Sequence, residues 1–191
     1  IRLVFVPVQG LAWKLLHIKA EARSDIGACI WPVRIRRMMK MLRRGEAFRN
    51  RAKRLLAEKK KLSAAWLQAA SPITAEIMAK AGFDILMVDM EHGPGDIMNL
   101  ISQMQAISHY EAVPFVRAPW NDFVTIKRIL DVGVSGILVP YVNNAEEAAR
   151  AVSACKYPLE GIRGIAPSPR AGGYGMNQRD YLDYANEELD V

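Results

Sequence analysis

The chain has 191 residues, of which 51% are hydrophobic and 24% charged, and a formal net charge of +6. That length allows one or two domains, and the hydrophobic share suits a folded globular protein rather than a disordered one. No run approaches the roughly 18 apolar residues of a membrane span, and the opening "IRLVFVPVQGLAWKLL" lacks the basic start and cleavage site of a secretion signal.

The charge is unevenly placed. Residues 1–61 carry 17 Lys/Arg and 4 Asp/Glu, a balance of +13, whereas the remainder carries 9 and 16, a balance of −7. A basic leader can be a nucleic-acid or membrane arm. The cluster "RIRRMMKMLRR", however, has neither interleaved aromatics nor a recognisable motif, which argues against nucleic-acid binding. Residues 1–45 show no strand–helix rhythm and read as a basic appendage of uncertain origin. Cys29 and Cys155 lie far apart and fit no ligand spacing, as expected of ordinary thiols in a reducing cytoplasm.

From Glu46 onward the pattern becomes regular. "AFRNRAKRLLAEKKK" reads as a lead-in helix and "LSAAWLQ" as a short strand. "SPITAEIMAKAG" has Ser71 as N-cap, Pro72 at the first helical position and Gly82 past the end. The strand "DILMVDM" comes next, then a helix over "DIMNLISQMQAI" with Ile97, Leu100, Ile101 and Met104 on one face. "AVPFVRAP" is strand-like, "DFVTIKRILDVG" is a helix closed by Gly133, and "SGILVPYV" is strand-like again. In "NAEEAARAVSACKYP", Asn144 caps a helix whose apolar face is expected at Ala145, Ala148, Ala149 and Val152. "GIRGIA" is a candidate fifth strand, and "NQRDYLDYANEELDV" is helical until near its end.

Repeats of about 25 residues, each a short strand and a helix, predict an α/β fold with a parallel sheet. An open doubly wound sheet and a closed (β/α)₈ barrel both fit. The first strand is not followed by the G-x-G-x-x-G fingerprint of dinucleotide binding. Polar residues stand where several strands end: Gln68, Asp89 with His92, Arg117, and Tyr141 with Asn143. Barrel enzymes place their chemistry at that rim, so a (β/α)₈ TIM-type barrel is favoured. A barrel takes about 250 residues, and the stretch 46–191 therefore predicts an incomplete one of four to five βα units.

The stretch "FDILMVDMEHGPGD" ends a buried strand in Asp89, Glu91 and His92. A carboxylate on one ring nitrogen of a histidine fixes its tautomer and raises the basicity of the other, which suits a general base. The alternative is a capping aspartate beside a solvated histidine. Arg117 ends the next strand, where a guanidinium fork could grip a substrate carboxylate or form a structural ion pair. His17 and His109 are expected at the surface. Lys80, Lys127 and Lys156 belong to predicted helices or their ends, so no lysine is placed for Schiff-base chemistry. Carbanion chemistry would then call on a metal, for which Glu91 is a possible ligand without a convincing second.

The segments "AGFDILMVDMEHGPGD", "VPFVRAPWND", "IKRILDVGVSGILVPYVNNAEEAARAV" and "YPLEGIRGIAPSPRAGGYG" together resemble the HpcH/HpaI aldolase family in order and spacing, from about Phe48 to Val191. That family includes 4-hydroxy-2-oxoheptanedioate and 2-dehydro-3-deoxyglucarate aldolases. The resemblance implies that residues 46–191 are the N-terminal portion of a metal-dependent (class II) aldolase barrel. Such an enzyme cleaves a 4-hydroxy-2-oxo acid to pyruvate plus an aldehyde. It further implies that His92 is the catalytic histidine, acting through metal-bound water, with Asp89 as its carboxylate partner. Arg117 corresponds to the residue that binds the oxo-acid carboxylate and steadies the enolate oxygen. The implied cofactor is Mg²⁺ or Mn²⁺, sometimes Co²⁺. Its ligands, a Glu and an Asp on later strands, would come after "ANEELDV", so no metal ligand is expected within this chain, which by itself is expected to be an inactive portion. The full-length protein is expected to form a homo-oligomer without membrane contact. Two alternatives are a citrate-lyase β or malyl-CoA type lyase on the same barrel and a non-catalytic basic nucleic-acid-binding protein.

Overall fold

The computed structural model describes residues 48–191, and the basic appendage expected over residues 1–45 lies outside them. The elements run α1 (Arg51–Ala57), β1 (Ala64–Leu67), α2 (Pro72–Lys80), β2 (Ile85–Asp89), α3 (Ile97–Ile107) and β3 (Val113–Arg117). They continue as α4 (Phe123–Asp131), β4 (Gly136–Leu138), α5 (Ala145–Cys155), a 3₁₀ turn (Arg170–Gly172) and α6 (Gln178–Glu188). Among the described residues no helix is long and apolar enough to cross a membrane.

The strands form one four-stranded sheet in the order β1-β2-β3-β4, every neighbouring pair parallel. Strand alternation sorts its side chains into two faces. Leu67, Val88, Val116 and Ile137 are register partners across the sheet and are buried against the helices, joined there by Leu86, Leu100, Met104, Ile126 and Ile129. The opposite face holds a layer of Trp66, Met87, Phe115 and Gly136, and above it a layer of Asp89, Arg117 and Leu138. Gly136 is where a side chain cannot fit: an added Cβ would collide with the Phe115 ring. The result is an α/β arrangement in which each parallel strand is followed by a return helix, as in the repeating units of a (β/α) barrel.

Ser71 and Asn144 cap their helices as predicted, and Asp96 and Asp122 do the same for α3 and α4. Ser71 accepts from the Thr74 amide, Asp96 and Asn99 cap one another reciprocally, Asp122 accepts from Val124 and Thr125, and Asn144 accepts from Glu147. The caps of α3, α4 and α5 fix the loops that leave the carboxyl ends of β2, β3 and β4.

Two expectations need correction. The candidate fifth strand "GIRGIA" is not a strand, because its backbone bonds to the end of α5: Ile162 N–H donates to Ser153 O at 2.9 Å and Arg163 N–H to Lys156 O at 2.9 Å. Buried Arg163 holds it there, its guanidinium 4.3 Å from the Tyr157 ring centre, 3.0 Å from Asp131 and 3.2 Å from the Tyr181 hydroxyl. The position beside β4 is met instead by Asp190, whose carbonyl accepts from Ile137 N–H at 2.9 Å and whose amide donates to Ser135 O at 3.1 Å. The second correction concerns α5, which buries Ala151, Ala154 and Cys155 while Ala145, Ala149 and Val152 are exposed. The helix is alanine-rich on adjacent stripes, so periodicity alone does not choose between them, and packing against α4 does. Burial pushes the Cys155 thiol up to about 11, which keeps it protonated at neutral pH.

Asn50 ties the lead-in segment to the sheet. Its side-chain amide donates to Ser135 O, Glu188 O and Asp190 Oδ2 at 2.9–3.1 Å, its Oδ1 caps α1, and its own amide donates to Glu188 Oε2 at 2.6 Å. Asn50→Ala leaves several of these groups unpaired in a buried place. It should cost roughly 2–3 kcal/mol of stability, read as a fall in urea midpoint at unchanged slope.

Candidate active site

Asp89 and Arg117 are the last residues of β2 and β3 and are register partners. Parallel pairing therefore points both side chains to the same face at the carboxyl rim, and the two meet there. Arg117 Nε donates to Asp89 Oδ1 at 3.0 Å and Nη2 donates to Oδ2 at 2.7 Å, a bidentate fork. Gln68 Nε2, just past β1, donates to Oδ2 at 2.9 Å, and the amides of Glu91 and His92 donate to Oδ1 at 3.1 and 3.2 Å. Asp89 is only 3% exposed. The turn that brings those amides round requires glycine at 93, where an added Cβ would collide with the Asp89 carbonyl.

Arg117 Nη1 continues the network to Glu91 Oε2 at 3.0 Å, with the two side chains 20% and 10% exposed. The guanidinium lies 4.6 Å from the ring centre of Trp66 on β1, so an indole covers one of its faces. Of its five N–H donors, Nε and one on Nη2 hydrogen-bond to Asp89, while Nη1 is held by the ion pair with Glu91. The remaining N–H groups on Nη1 and Nη2 have no hydrogen-bond partner among the described residues, and an incoming oxyanion could use them.

The structure rearranges the expected histidine pair. Asp89 does not reach the His92 imidazole; it accepts from the His92 backbone amide, and its oxygens are spent on Arg117, Gln68 and that turn. The carboxylate beside the ring is Glu91, whose Oε1 is 3.8 Å from His92 Nε2, and the His92 side chain is 65% exposed. The physical reason is register. A strand partner directly opposite Asp89 claims its carboxylate before a residue across a turn can. His92, Asp89 and Arg117 nonetheless share one end of the sheet.

Tyr141 and Asn143 lie beyond β4 on the same side. Tyr141 has a left-handed backbone (φ +58°), its ring is 4.4 Å from that of Trp120, and Asn143 holds the turn by donating to Glu147 Oε2 at 2.7 Å. Sequence reasoning missed Trp66 as a platform and Glu91 as the link between guanidinium and imidazole. Trp66 could have been found as the residue two places before Gln68, on the face that alternation assigns to the rim residues. Lys80 and Lys127 are helical, Lys156 caps α5, and His109 is exposed between α3 and β3, as expected.

The donors present do not suit a divalent cation. Asp89 already accepts five N–H bonds, more than its roughly four lone-pair sites, and Glu91 faces a guanidinium. Among the described residues there is no group of three or more His, Cys, Asp or Glu arranged to hold a metal. The expectation that Glu91 could be a ligand is thus replaced by its ion pair with Arg117.

The sequence profile of the HpcH/HpaI aldolase/citrate lyase family matches residues 62–191. The chain belongs to the HpcH/HpaI aldolase/citrate lyase family. A "5-keto-4-deoxy-D-glucarate aldolase" of Enterobacter sp. (strain 638) is 42% identical over 146 residues, which are 76% of this chain and 57% of that protein. The crystal structure of an HpcH/HpaI aldolase/citrate lyase family protein from Burkholderia cenocepacia J2315 superposes with a TM-score of 0.70 at 37% identity, covering 73% of this chain and 57% of that one. The HpcH/HpaI aldolase from Desulfitobacterium hafniense DCB-2 superposes with a TM-score of 0.64 at 27% identity, covering 72% and 54%. The HpcH/HpaI chain described here thus spans about half the length of the relatives it matches.

The Arg117 guanidinium, before its other partners, holds the Asp89 carboxyl well below the usual carboxylate range against the opposing effect of burial. A depressed folded value means that the pair contributes stability present above the ordinary carboxylate pKa of about 4 and lost as the pH falls towards the depressed one. Asp89→Asn should therefore be less stable than the parent at pH 7, by roughly 3 kcal/mol. The gap should narrow at about pH 2.5, measured by urea unfolding at both pH values. A gap of equal size at both would show that charge is not what Asp89 contributes.

Proposed function

We propose that the protein is a carbon–carbon lyase of the aldolase type, cleaving a 4-hydroxy-2-oxo acid to pyruvate, or a related 2-oxo acid, and an aldehyde. The observation that carries this reading is the Arg117 guanidinium, fixed by Asp89 at the rim with N–H groups on Nη1 and Nη2 that have no hydrogen-bond partner among the described residues, near an exposed imidazole. Relatives that bear the aldolase name support the same reaction class, and their sugar-acid substrate suggests a hydroxylated acyclic 2-oxo acid here. The acyl-CoA alternative finds no feature in its favour.

In this reading the substrate carboxylate and the C2 carbonyl oxygen meet the free N–H donors of Arg117. His92 accepts the proton of the C4 hydroxyl as that oxygen becomes the aldehyde carbonyl. The C3–C4 bond breaks, its electron pair forms the C2–C3 double bond, and the C2 carbonyl π pair moves onto oxygen as an enolate. Arg117 stabilises the charge where it develops, which is where a fixed donor contributes most to the rate. The imidazolium then returns its proton to C3, and pyruvate forms. Asp89 touches none of the reacting atoms in this scheme; it positions Arg117. The divalent cation that the resemblance implies (Mg²⁺, Mn²⁺ or Co²⁺) finds no ligand set among the described residues, so these steps are only those of the chain's own side chains.

Pyruvate release from a 4-hydroxy-2-oxo acid by the full-length protein, followed with lactate dehydrogenase and with Mn²⁺ present, tests the proposal. Loss of a general base should lower kcat by about a hundredfold or more in His92→Ala. Arg117→Lys keeps the charge but loses the fork, and should raise KM about tenfold or more. Wild-type rates in both variants would remove these residues from the mechanism.

A further inference from the structure

Glu91 occupies a position that the aldolase reading does not explain. Its carboxylate is only 10% exposed and stands between the two groups that reading needs, Oε2 at 3.0 Å from Arg117 Nη1 and Oε1 at 3.8 Å from His92 Nε2. Asp89, Glu91 and Arg117 together carry a net charge of −1. An anionic substrate approaching Arg117 thus meets a guanidinium already shared by two carboxylates. Asp89 cannot yield: it is buried, bidentate and held by three further N–H donors. Glu91 can, because it makes a single contact with Arg117 and has a second basic partner 3.8 Å away.

We infer that Glu91 is a resident competitor for the oxo-acid carboxylate, displaced from Arg117 when the substrate binds and moved onto His92. Binding at the guanidinium is thereby coupled to placement of the imidazole, and Glu91 acts as a positioning residue rather than a catalytic one. Three titratable side chains among the described residues face this carboxylate: Arg117 on β3, the His92 imidazole in its own turn, and Asp89 on β2 as a like charge behind the guanidinium. The cost is weakened ground-state binding, since the competitor must leave. The gain is that the base is oriented only when substrate is present.

This inference rests on Arg117 as the carboxylate site, and the test separates the two. Pyruvate binding is measured by calorimetry on the parent, Glu91→Gln and Glu91→Ala, with the His92 ring resonances followed by NMR in the same titrations and uncharged pyruvamide as the control ligand. Removing one like charge should tighten pyruvate about tenfold in both variants. Pyruvamide should bind alike in all three. Pyruvate should perturb the His92 ring in the parent and not in the variants. Two substitutions of different size guard against a local packing effect, and far-UV circular dichroism confirms folding. If the parent binds pyruvate and the variants bind it no more tightly, or the His92 response survives in them, Glu91 is not a competitor. If Arg117→Lys leaves the parent's pyruvate affinity unchanged, the carboxylate site itself is wrong and the inference falls with it.

Discussion

The bidentate contact between Asp89 and Arg117 is the interaction on which the rest of the rim depends. Both are polar groups at the ends of strands that are otherwise apolar, and each would be costly alone, Asp89 in a buried place and Arg117 in a largely buried one. Adjacent parallel strands in register solve the problem by placing them side by side. The carboxylate's remaining lone pairs are met by Gln68 from β1 and by the two amides of the turn after β2, so three strands and a loop converge on one residue. What emerges on the solvent side is a guanidinium that cannot swing, capped by Trp66 on one face and presenting a short edge of free donors.

Rigidity of that kind has a chemical use. A fixed donor edge needs little reorganisation when negative charge develops in front of it. His92 is different in character, mostly exposed and without a hydrogen bond to its ring among the described residues, so its orientation has to come from a partner. Glu91 is the carboxylate within reach. The rim therefore combines a locked clamp with an imidazole whose placement is conditional, and the division between the two follows from which residue Asp89 chooses as its partner.

Much of this was legible in the sequence. Ser71 and Asn144 marked their helix starts, and the breaks after Asp89 and Arg117 marked the strand ends, because capping and strand termination are local chemistry. The pairing of Asp89 with Arg117 rather than with His92 was not legible. Spacing along the chain brings 89 and 92 together across a turn, but register is a tertiary property that no local pattern states. The same reason hid Trp66 as the platform under Arg117. "GIRGIA" misled because an apolar run reads as a strand, whereas the buried Arg163 within it, caged by Tyr157 and Tyr181, binds the segment to the helices instead. In α5 the alanines left two faces nearly equal in hydrophobicity, and only the neighbouring helix decided between them.

The most direct test of this account is a double-mutant cycle on stability with Asp89→Asn, Arg117→Met and the pair, each measured by urea unfolding at pH 7. A shared, largely buried fork predicts strong non-additivity, with the second substitution costing little once the first is made and a coupling of roughly 2–3 kcal/mol. Additive effects, with a coupling near zero, would mean that the two strand ends stand independently, and the clamp built on them would have no basis.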